Sequence, residues 1–327
     1  MTTRVERPNG CLEPVPIDGV VADPARIRDL ARAHGPYFMP ARYLVTGQPA
    51  DTAADGSSRN SADVPAGLVG PTWRGDWAVG GQALIDAASA LLDHQRFIEA
   101  AHRMFDAEVV VPEQVYVNLS TPMPGQGFSH VDIAEFVGVD RTNAPGWLLQ
   151  AMGSSGLFEE ARISVATAVA WFHTGERGFF RYWPNGRGAD SIRHENMWNT
   201  AVVGDNDFMH HQVERIGPAG ARPPTGLTID TTIDHVEGAW SVIEAGATLA
   251  EYTDDEVRLS LSWKAKVYAD DATRTAAEAG DGLTVAEAVR VLTAELDAPS
   301  PAGVADALTD TEFRSALAAR WSGYRSD

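Results

Sequence analysis

Residues 118–138 read NLSTPMPGQGFSHVDIAEFVG, and this stretch is the most informative in the chain. A turn rich in proline and glycine separates a β-prone segment from His130 and Asp132. Residues two apart in an extended chain point to the same side, so the imidazole and the carboxylate project together. Such a pair is two-thirds of the 2-His-1-carboxylate set that binds non-haem iron(II) and leaves coordination positions open. By itself the pair is weak evidence, because His-x-Asp is common in sequences.

The second histidine of such a set should come from a later strand. DNDFMHHQVERIG, residues 205–217, supplies two candidates, His210 and His211. Alternation along a strand puts these two side chains on opposite faces. The residues alone leave both candidates open.

A third informative segment is EVRLSLSWKAKVY, residues 256–268. Strict alternation predicts a strand with a polar and an apolar face, formed by Arg258, Ser260, Ser262 and Lys264 and by Val257, Leu259, Leu261 and Trp263. An arginine that points into a pocket suits a dicarboxylate, because its planar fork binds a carboxylate bidentately, and Ser260 can add a hydroxyl donor. For the segment in isolation, however, a polar face that simply meets water is the favoured interpretation.

The chain around these segments predicts a mainly β core with helices before and after it. Strand-like runs follow one another from residue 108 to 268, interrupted by one predicted helix near residues 147–160. Helical spacing predicts one long helix over residues 81–105 and further helices within 283–322. We therefore expect a single domain over residues 1–327, with a barrel or jelly-roll core at 109–268. Residues 47–67, rich in Gly, Ser, Asp and Ala, are expected to form a surface loop.

The ordered set His130-x-Asp132, a distal histidine and Arg258-x-Ser260 resembles the iron(II)/2-oxoglutarate-dependent oxygenases. GERGFFRYWP, residues 175–184, is similar to a glycine-rich strand of that superfamily, and the resemblance covers about residues 109–268. It implies a cupin-like double-stranded β-helix and favours His211 over His210 as the third metal ligand. It also implies Fe(II), 2-oxoglutarate and O₂ as cofactor and co-substrates, with Arg258, Ser260 and Asn118 as candidate 2-oxoglutarate contacts. The implied activity is that of a dioxygenase that decarboxylates 2-oxoglutarate to succinate.

Two features qualify the resemblance. His211 and Arg258 are 47 residues apart (258 − 211), which is long for this superfamily, so we expect an insertion such as residues 217–239 and keep Arg215 as the alternative anchor. Halogenating members replace the carboxylate ligand with a small residue so that chloride can bind. The presence of Asp132 therefore implies hydroxylation, desaturation or cyclisation.

Two other polar residues in the predicted core carry weaker expectations. His173 is interpreted as a structural histidine instead of a fourth metal ligand, because the ligand set is already complete. Arg181 is a less favoured candidate for contact with a substrate carboxylate.

The amino-acid composition limits the kinds of molecule that we expect this protein to bind. With 26 basic and 45 acidic side chains, the formal charge is −19, which disfavours nucleic acids and anionic membranes as partners. No apolar run approaches the ~20 residues of a membrane span, and the N-terminal residues do not resemble a secretory signal. We expect a soluble cytoplasmic enzyme whose substrate is a small molecule, such as an amino acid or a secondary-metabolite intermediate. The alternatives are a cupin-like metal-dependent isomerase or hydrolase and a non-catalytic binding barrel.

Overall fold

The computed structural model describes residues 7, 10–40, 70–279, 282–296, 303–321 and 324–326. The loop expected at residues 47–67 lies outside them. The strands are β1 (Val15–Asp18), β2 (Tyr37–Phe38), β3 (Thr72–Val79), β4 (Gln82–Ala83), β5 (Val109–Ser120), β6 (Phe128–His130), β7 (Glu135–Phe136), β8 (Arg162–Phe172), β9 (Phe180–Trp183), β10 (Ile192–His194), β11 (Trp198–Gly204), β12 (His210–Val213), β13 (Thr232–Val236), β14 (Ala239–Glu244), β15 (Ala247–Tyr252), β16 (Arg258–Tyr268) and β17 (Tyr324–Ser326). The helices are α1 (Pro24–Ala33), α2 (Ser89–Leu92), α3 (Gln95–Phe105), α4 (Gly146–Ser155), α5 (Asp271–Glu278), α6 (Val285–Ala294), α7 (Val304–Thr309) and α8 (Thr311–Arg320).

The strands from β5 to β16 wind between two antiparallel sheets. β11, β8, β16 and β5 are neighbours in the larger sheet, and β10, β9, β12 and β6 are neighbours in the smaller one. The chain passes from β5 to β6 in the other sheet, returns to β8, crosses to β9 and β10, and returns to β11. It then crosses to β12 and comes back to β16. This alternation is the double-stranded β-helix, or jelly roll, so the expected fold class is confirmed.

The long separation between β12 and β16 has a structural explanation. β13, β14 and β15 form an antiparallel meander, which joins the larger sheet beyond β3 by way of β2. The insertion expected at residues 217–239 is therefore longer than expected, and much of it is regular strand instead of an irregular loop. The extra strands lie at the far edge of the larger sheet, so β12 with His211 and β16 with Arg258 both remain in the core of the barrel.

The long helix expected over residues 81–105 is wrong. Gly80 and Gly81 have φ of 60° and 73° and form the turn between β3 and β4, so the helical region starts later. A 3₁₀ turn and α2 then end before His94, whose ψ of 103° interrupts the helix. The His94 Nε2 lies 2.8 Å from the carbonyl oxygen of Val20, which holds this break against the N-terminal segment. The periodicity of side chains did not reveal these backbone interruptions.

Both faces of β16 are buried. Leu259, Leu261 and Trp263 pack in the main hydrophobic core with residues of α1 and α3, and the Trp263 indole donates a hydrogen bond of 2.7 Å to the Leu92 carbonyl. The opposite, polar face looks into the space between the two sheets, where Arg258, Ser260, Ser262 and Lys264 are all buried. The interpretation of this polar face as solvent-exposed is therefore wrong.

The helices predicted near residues 147–160 and within 283–322 are present as α4 and as α6 to α8. They pack together in a second apolar cluster that includes Leu148, Leu292 and Phe313. Among the described residues, no helix is long and apolar enough to span a membrane.

Candidate metal centre

The three candidate ligands meet where β6 and β12 run side by side. His130 and His211 are directly opposite each other in the antiparallel pair, with ring centroids 4.4 Å apart. Asp132 lies two residues beyond His130, and its backbone N–H donates a 2.8 Å hydrogen bond to the carbonyl of Asn206. One ligand atom from each of these three side chains lies within 4.8 Å of the others. The structure thus brings together His130, Asp132 and His211.

The orientation of His211 is fixed by a backbone carbonyl. Its Nδ1 lies 2.9 Å from the Met209 oxygen, and because a carbonyl only accepts, this nitrogen carries the proton. The Nε2 lone pair is left for a metal and lies 3.6 Å from Asp132 Oδ1. His210 is outside this cluster, with its Nδ1 3.5 Å from the Ser129 hydroxyl.

The electrostatics of the cluster depend on Lys264, which the sequence did not single out for a role. Its ammonium lies 2.7 Å from Asp132 Oδ2. Burial alone would raise the pKa of Asp132, but the Lys264 ammonium holds it below its usual range. Burial would lower the pKa of Lys264, and Asp132 raises it. Burial, with His211 nearby, lowers the pKa of His130 to about 3. At neutral pH the site therefore offers a neutral His130 and an ionised Asp132.

These donors fit a first-row divalent metal. Two imidazole nitrogens and one carboxylate oxygen are the ligands that non-haem iron(II) takes, with positions left open for other molecules. Atoms that each lie ~2.1 Å from one ion are within ~4.2 Å of each other, and the 3.6 Å between His211 Nε2 and Asp132 Oδ1 satisfies this limit. Since Lys264 is bonded to Oδ2, Asp132 presents Oδ1 towards His211.

Arg258 lies on the same face of β16 as Lys264 but has different surroundings. It is 2% exposed, its Nε donates a 2.7 Å hydrogen bond to the Gly178 carbonyl, and its Nη1 lies 3.4 Å from Ser260 Oγ. Its Nη2 meets no hydrogen-bond partner in the described part of the chain. Burial lowers its pKa to about 9, and no described carboxylate forms an ion pair with it. A buried guanidinium in this state is suited to an anionic ligand.

The remaining candidates are placed as follows. Ser260 is opposite Asn118 on β5, and Asn118 is half-buried on the same interior face.

Arg215 is half-buried in the segment after β12, whereas Arg258 is fully inside the barrel. Arg181 is held by Glu214, with Nε to Oε1 at 2.6 Å, and by Ser191, so its suggested contact with a substrate carboxylate is not favoured.

The strand order and these side chains define the class of the protein, a double-stranded β-helix with a 2-His-1-carboxylate cluster between its sheets. No family model matches the chain, and no curated protein does.

Solved structures similar to this chain include proteins named for the superfamily that the sequence resembles. An oxidoreductase of the 2OG-Fe(II) oxygenase family from Burkholderia pseudomallei is 13% identical, with 77% of this chain and 84% of that chain covered and a TM-score of 0.39. A prolyl-4-hydroxylase from Pseudomonas putida is 12% identical, with 79% and 94% covered and a TM-score of 0.35. HygX from Streptomyces hygroscopicus, solved with nickel, 2-oxoglutarate and hygromycin B bound, is 10% identical, with 78% and 83% covered and a TM-score of 0.39. At these values the likenesses carry no argument about activity.

Proposed function

We propose that this protein is an Fe(II)- and 2-oxoglutarate-dependent oxygenase that oxidises a small molecule. The observation that carries the proposal is a pair of features on one interior surface. A His-Asp-His cluster lies between the two sheets. Arg258, a buried cation that no described carboxylate balances, lies on the face of β16 whose Lys264 is bonded to Asp132. A buried cation without a counter-ion is energetically unfavourable. A dicarboxylate that also reaches the metal would supply the counter-ion and remove this cost.

The roles of the chain's residues follow from their positions. His211 Nε2, Asp132 Oδ1 and a ring nitrogen of His130 would hold the metal, while Lys264 keeps Asp132 ionised and oriented. Arg258, with Ser260 and Asn118 beside it, would bind the far carboxylate of 2-oxoglutarate. Iron(II), when bound with 2-oxoglutarate, supplies the activation of O₂ that is coupled to succinate formation. The side chains hold co-substrate and substrate in fixed orientation, which lowers the entropic cost of reaction.

The reaction type that we propose is hydroxylation, desaturation or cyclisation. As the resemblance implies, Asp132 would occupy the ligand position that halogenating members of that superfamily leave to chloride. The expected substrate is an amino acid or an intermediate of natural product biosynthesis, as the resemblance implies, and the chain's charge of −19 suits neither nucleic acid nor an anionic membrane as partner.

An anaerobic titration tests the proposal directly. We expect the metal-free protein to bind Fe(II), and the subsequent addition of 2-oxoglutarate to produce a visible charge-transfer band. Admission of O₂ with a panel of amino acids and small metabolites should then release succinate together with a product that has gained one oxygen or lost two hydrogens. Turnover without O₂ would favour the isomerase or hydrolase alternative, and metal binding without either band or succinate would favour a non-catalytic barrel.

A further inference from the structure

His173 lies beside Arg258 at the end of the barrel away from Lys264. Trp171 on β8 is opposite Ser260 on β16 in an antiparallel pair, so two residues further along β8 the chain reaches His173 at the level of Arg258. His173 is 3% exposed. Neither of its ring nitrogens has a hydrogen-bond partner among the residues that the structure describes. The Val257 carbonyl approaches the ring and raises its pKa slightly, but without hydrogen-bonding geometry.

Two glycines bring the backbone of residues 175–178 against these side chains. A Cβ on Gly178, which has φ of +75°, would lie 2.9 Å from Arg258 Cδ and 3.4 Å from His173 Cδ2. The imidazole and the guanidinium stem are thus within 3.4 Å of one common point. A Cβ on Gly175 would lie 2.7 Å from His173 Cε1. The glycine-rich stretch therefore lets the backbone close over the ring and the arginine together.

The charges around His173 favour a neutral ring. Burial lowers its pKa to about 4, and the cations of Arg258 and Arg28 act in the same direction. The Arg28 side chain is itself bound to the Phe172 carbonyl and paired with Asp254, while Asp255 only weakly opposes the effect of the two arginines.

At neutral pH the ring therefore carries one N–H donor and one acceptor nitrogen. The ring lies beside the Arg258 stem, and neither this donor nor the Arg258 Nη2 has a hydrogen-bond partner among the described residues. A carboxylate bound between them would satisfy both groups.

We propose that His173 is a second binding residue for the far carboxylate of 2-oxoglutarate and donates one neutral ring N–H to it beside Arg258. The inference rests on the proposed function, since it names a further contact of the same co-substrate. Its consequence is selectivity. A 2-oxo acid without a far carboxylate leaves both donors unpaired, so the pair discriminates against monocarboxylates such as pyruvate.

Two variants separate this role from simple packing between the glycines. His173→Phe keeps a ring and removes the N–H, while His173→Gln keeps an amide N–H donor. The dissociation constants of 2-oxoglutarate and pyruvate are measured anaerobically on the Fe(II)-loaded full chain by calorimetry. We expect His173→Phe to weaken 2-oxoglutarate binding by about 10- to 100-fold, to leave the pyruvate and Fe(II) affinities unchanged, and His173→Gln to recover part of the loss.

A measurement on the wild-type protein keeps the test independent of how well the variants fold. In protein loaded with diamagnetic Zn(II), the ring N–H of His173, assigned by its absence in His173→Gln, should shift on titration with 2-oxoglutarate and stay in place with pyruvate. Equal 2-oxoglutarate affinity in wild type and His173→Phe, or an unmoved N–H signal, would overturn the inference alone. Failure of the wild-type protein to bind 2-oxoglutarate at all would instead overturn the proposed function.

Discussion

The two ends of the polar face of β16 each carry a buried cation, but the surroundings of the two cations differ. At one end, the Lys264 ammonium is 2.7 Å from Asp132, so the candidate metal centre contains its own counter-ion. At the other end, Arg258 is bonded to a backbone carbonyl and lies near a serine, and no described carboxylate pairs with it. Both cations come from the same strand and the same face. The Lys264 end therefore has its counter-ion within the chain, whereas the Arg258 end has none among the described residues.

The neighbouring strands, not β16, create this difference. The segment after β6 places Asp132 in front of Lys264, from 132 residues away in the sequence. In front of Arg258, the chain instead places the glycine backbone at residue 178 and the neutral ring of His173. Substitutions at the two ends of β16 should therefore have effects as different as the surroundings of Lys264 and Arg258.

Removal of the carboxylate should have the largest effect. Asp132→Ala takes away one of the three proposed metal ligands and leaves Lys264 buried without its partner, so we expect Fe(II) affinity to fall by more than about 100-fold and most activity to be lost. Equilibrium dialysis with Fe(II) under anaerobic conditions measures the loss, with the half-exposed Asp140→Ala as a surface control. Retention of wild-type metal affinity would remove Asp132 from the ligand set.

Lys264→Met breaks the buried ion pair and leaves the Asp132 carboxylate uncompensated. We expect the free energy of unfolding of the metal-free protein to fall by about 3 kcal/mol or more, as for other buried pairs that lose one partner. Lys266→Met on the same strand is the matched control. Lys266 lies 3.6 Å and 3.7 Å from its carboxylate partners and its side chain is 24% exposed, so its loss should cost about 1 kcal/mol or less. Urea unfolding measures the loss of unfolding free energy in each variant. Equal losses in Lys264→Met and Lys266→Met would contradict the proposed difference between the two lysines.

Arg258→Met should weaken 2-oxoglutarate binding more than it lowers the free energy of unfolding, in contrast to Lys264→Met. The substitution removes two contacts but also an unbalanced buried cation, so we expect a smaller loss of unfolding free energy than for Lys264→Met. Binding of 2-oxoglutarate should weaken by about 2–4 kcal/mol. Calorimetry with Arg215→Ala as the control measures this effect. An unchanged affinity in Arg258→Met, with a loss in the control, would move the anchor to Arg215.

The smallest effect is on the pH dependence of stability. The pKa of His173 in the folded protein is lowered to about 4 from a reference of 6.5, so the unfolded chain binds the proton first. This group therefore leaves stability unaffected above about pH 6.5 and lowers it as the pH falls from 6.5 towards 4. His173→Phe should lose less stability than the wild type between pH 7 and pH 5, by on the order of 1–2 kcal/mol. Urea unfolding of both proteins at the two pH values measures this difference. Equal losses of unfolding free energy in the wild type and His173→Phe would show that the pKa of His173 is not lowered in the folded protein.

Local pattern predicted most of the core. Strand-like runs from residue 108 to 268 correspond to strands of the two sheets, and the helices α4, α6 and α8 fall where periodicity indicated them. The expected long helix over 81–105 failed because Gly81 and His94 adopt backbone conformations that interrupt it, and side-chain periodicity does not report these. The single-domain organisation stays a prediction.

Within a single strand, the order of residues is enough to predict which side chains share a face. Two-residue spacing put His130 and Asp132 on one side, and alternation put Arg258 and Lys264 on one face, because the period of an extended chain is fixed by its geometry. Four further features follow from the folded structure and not from local pattern: which histidine joins the pair, the burial of the polar face of β16, the contact of Lys264 with Asp132, and the position of His173 beside Arg258. These contacts join segments far apart in the chain, and their pairing depends on strand register and sheet order. No local pattern of residues encodes those two properties.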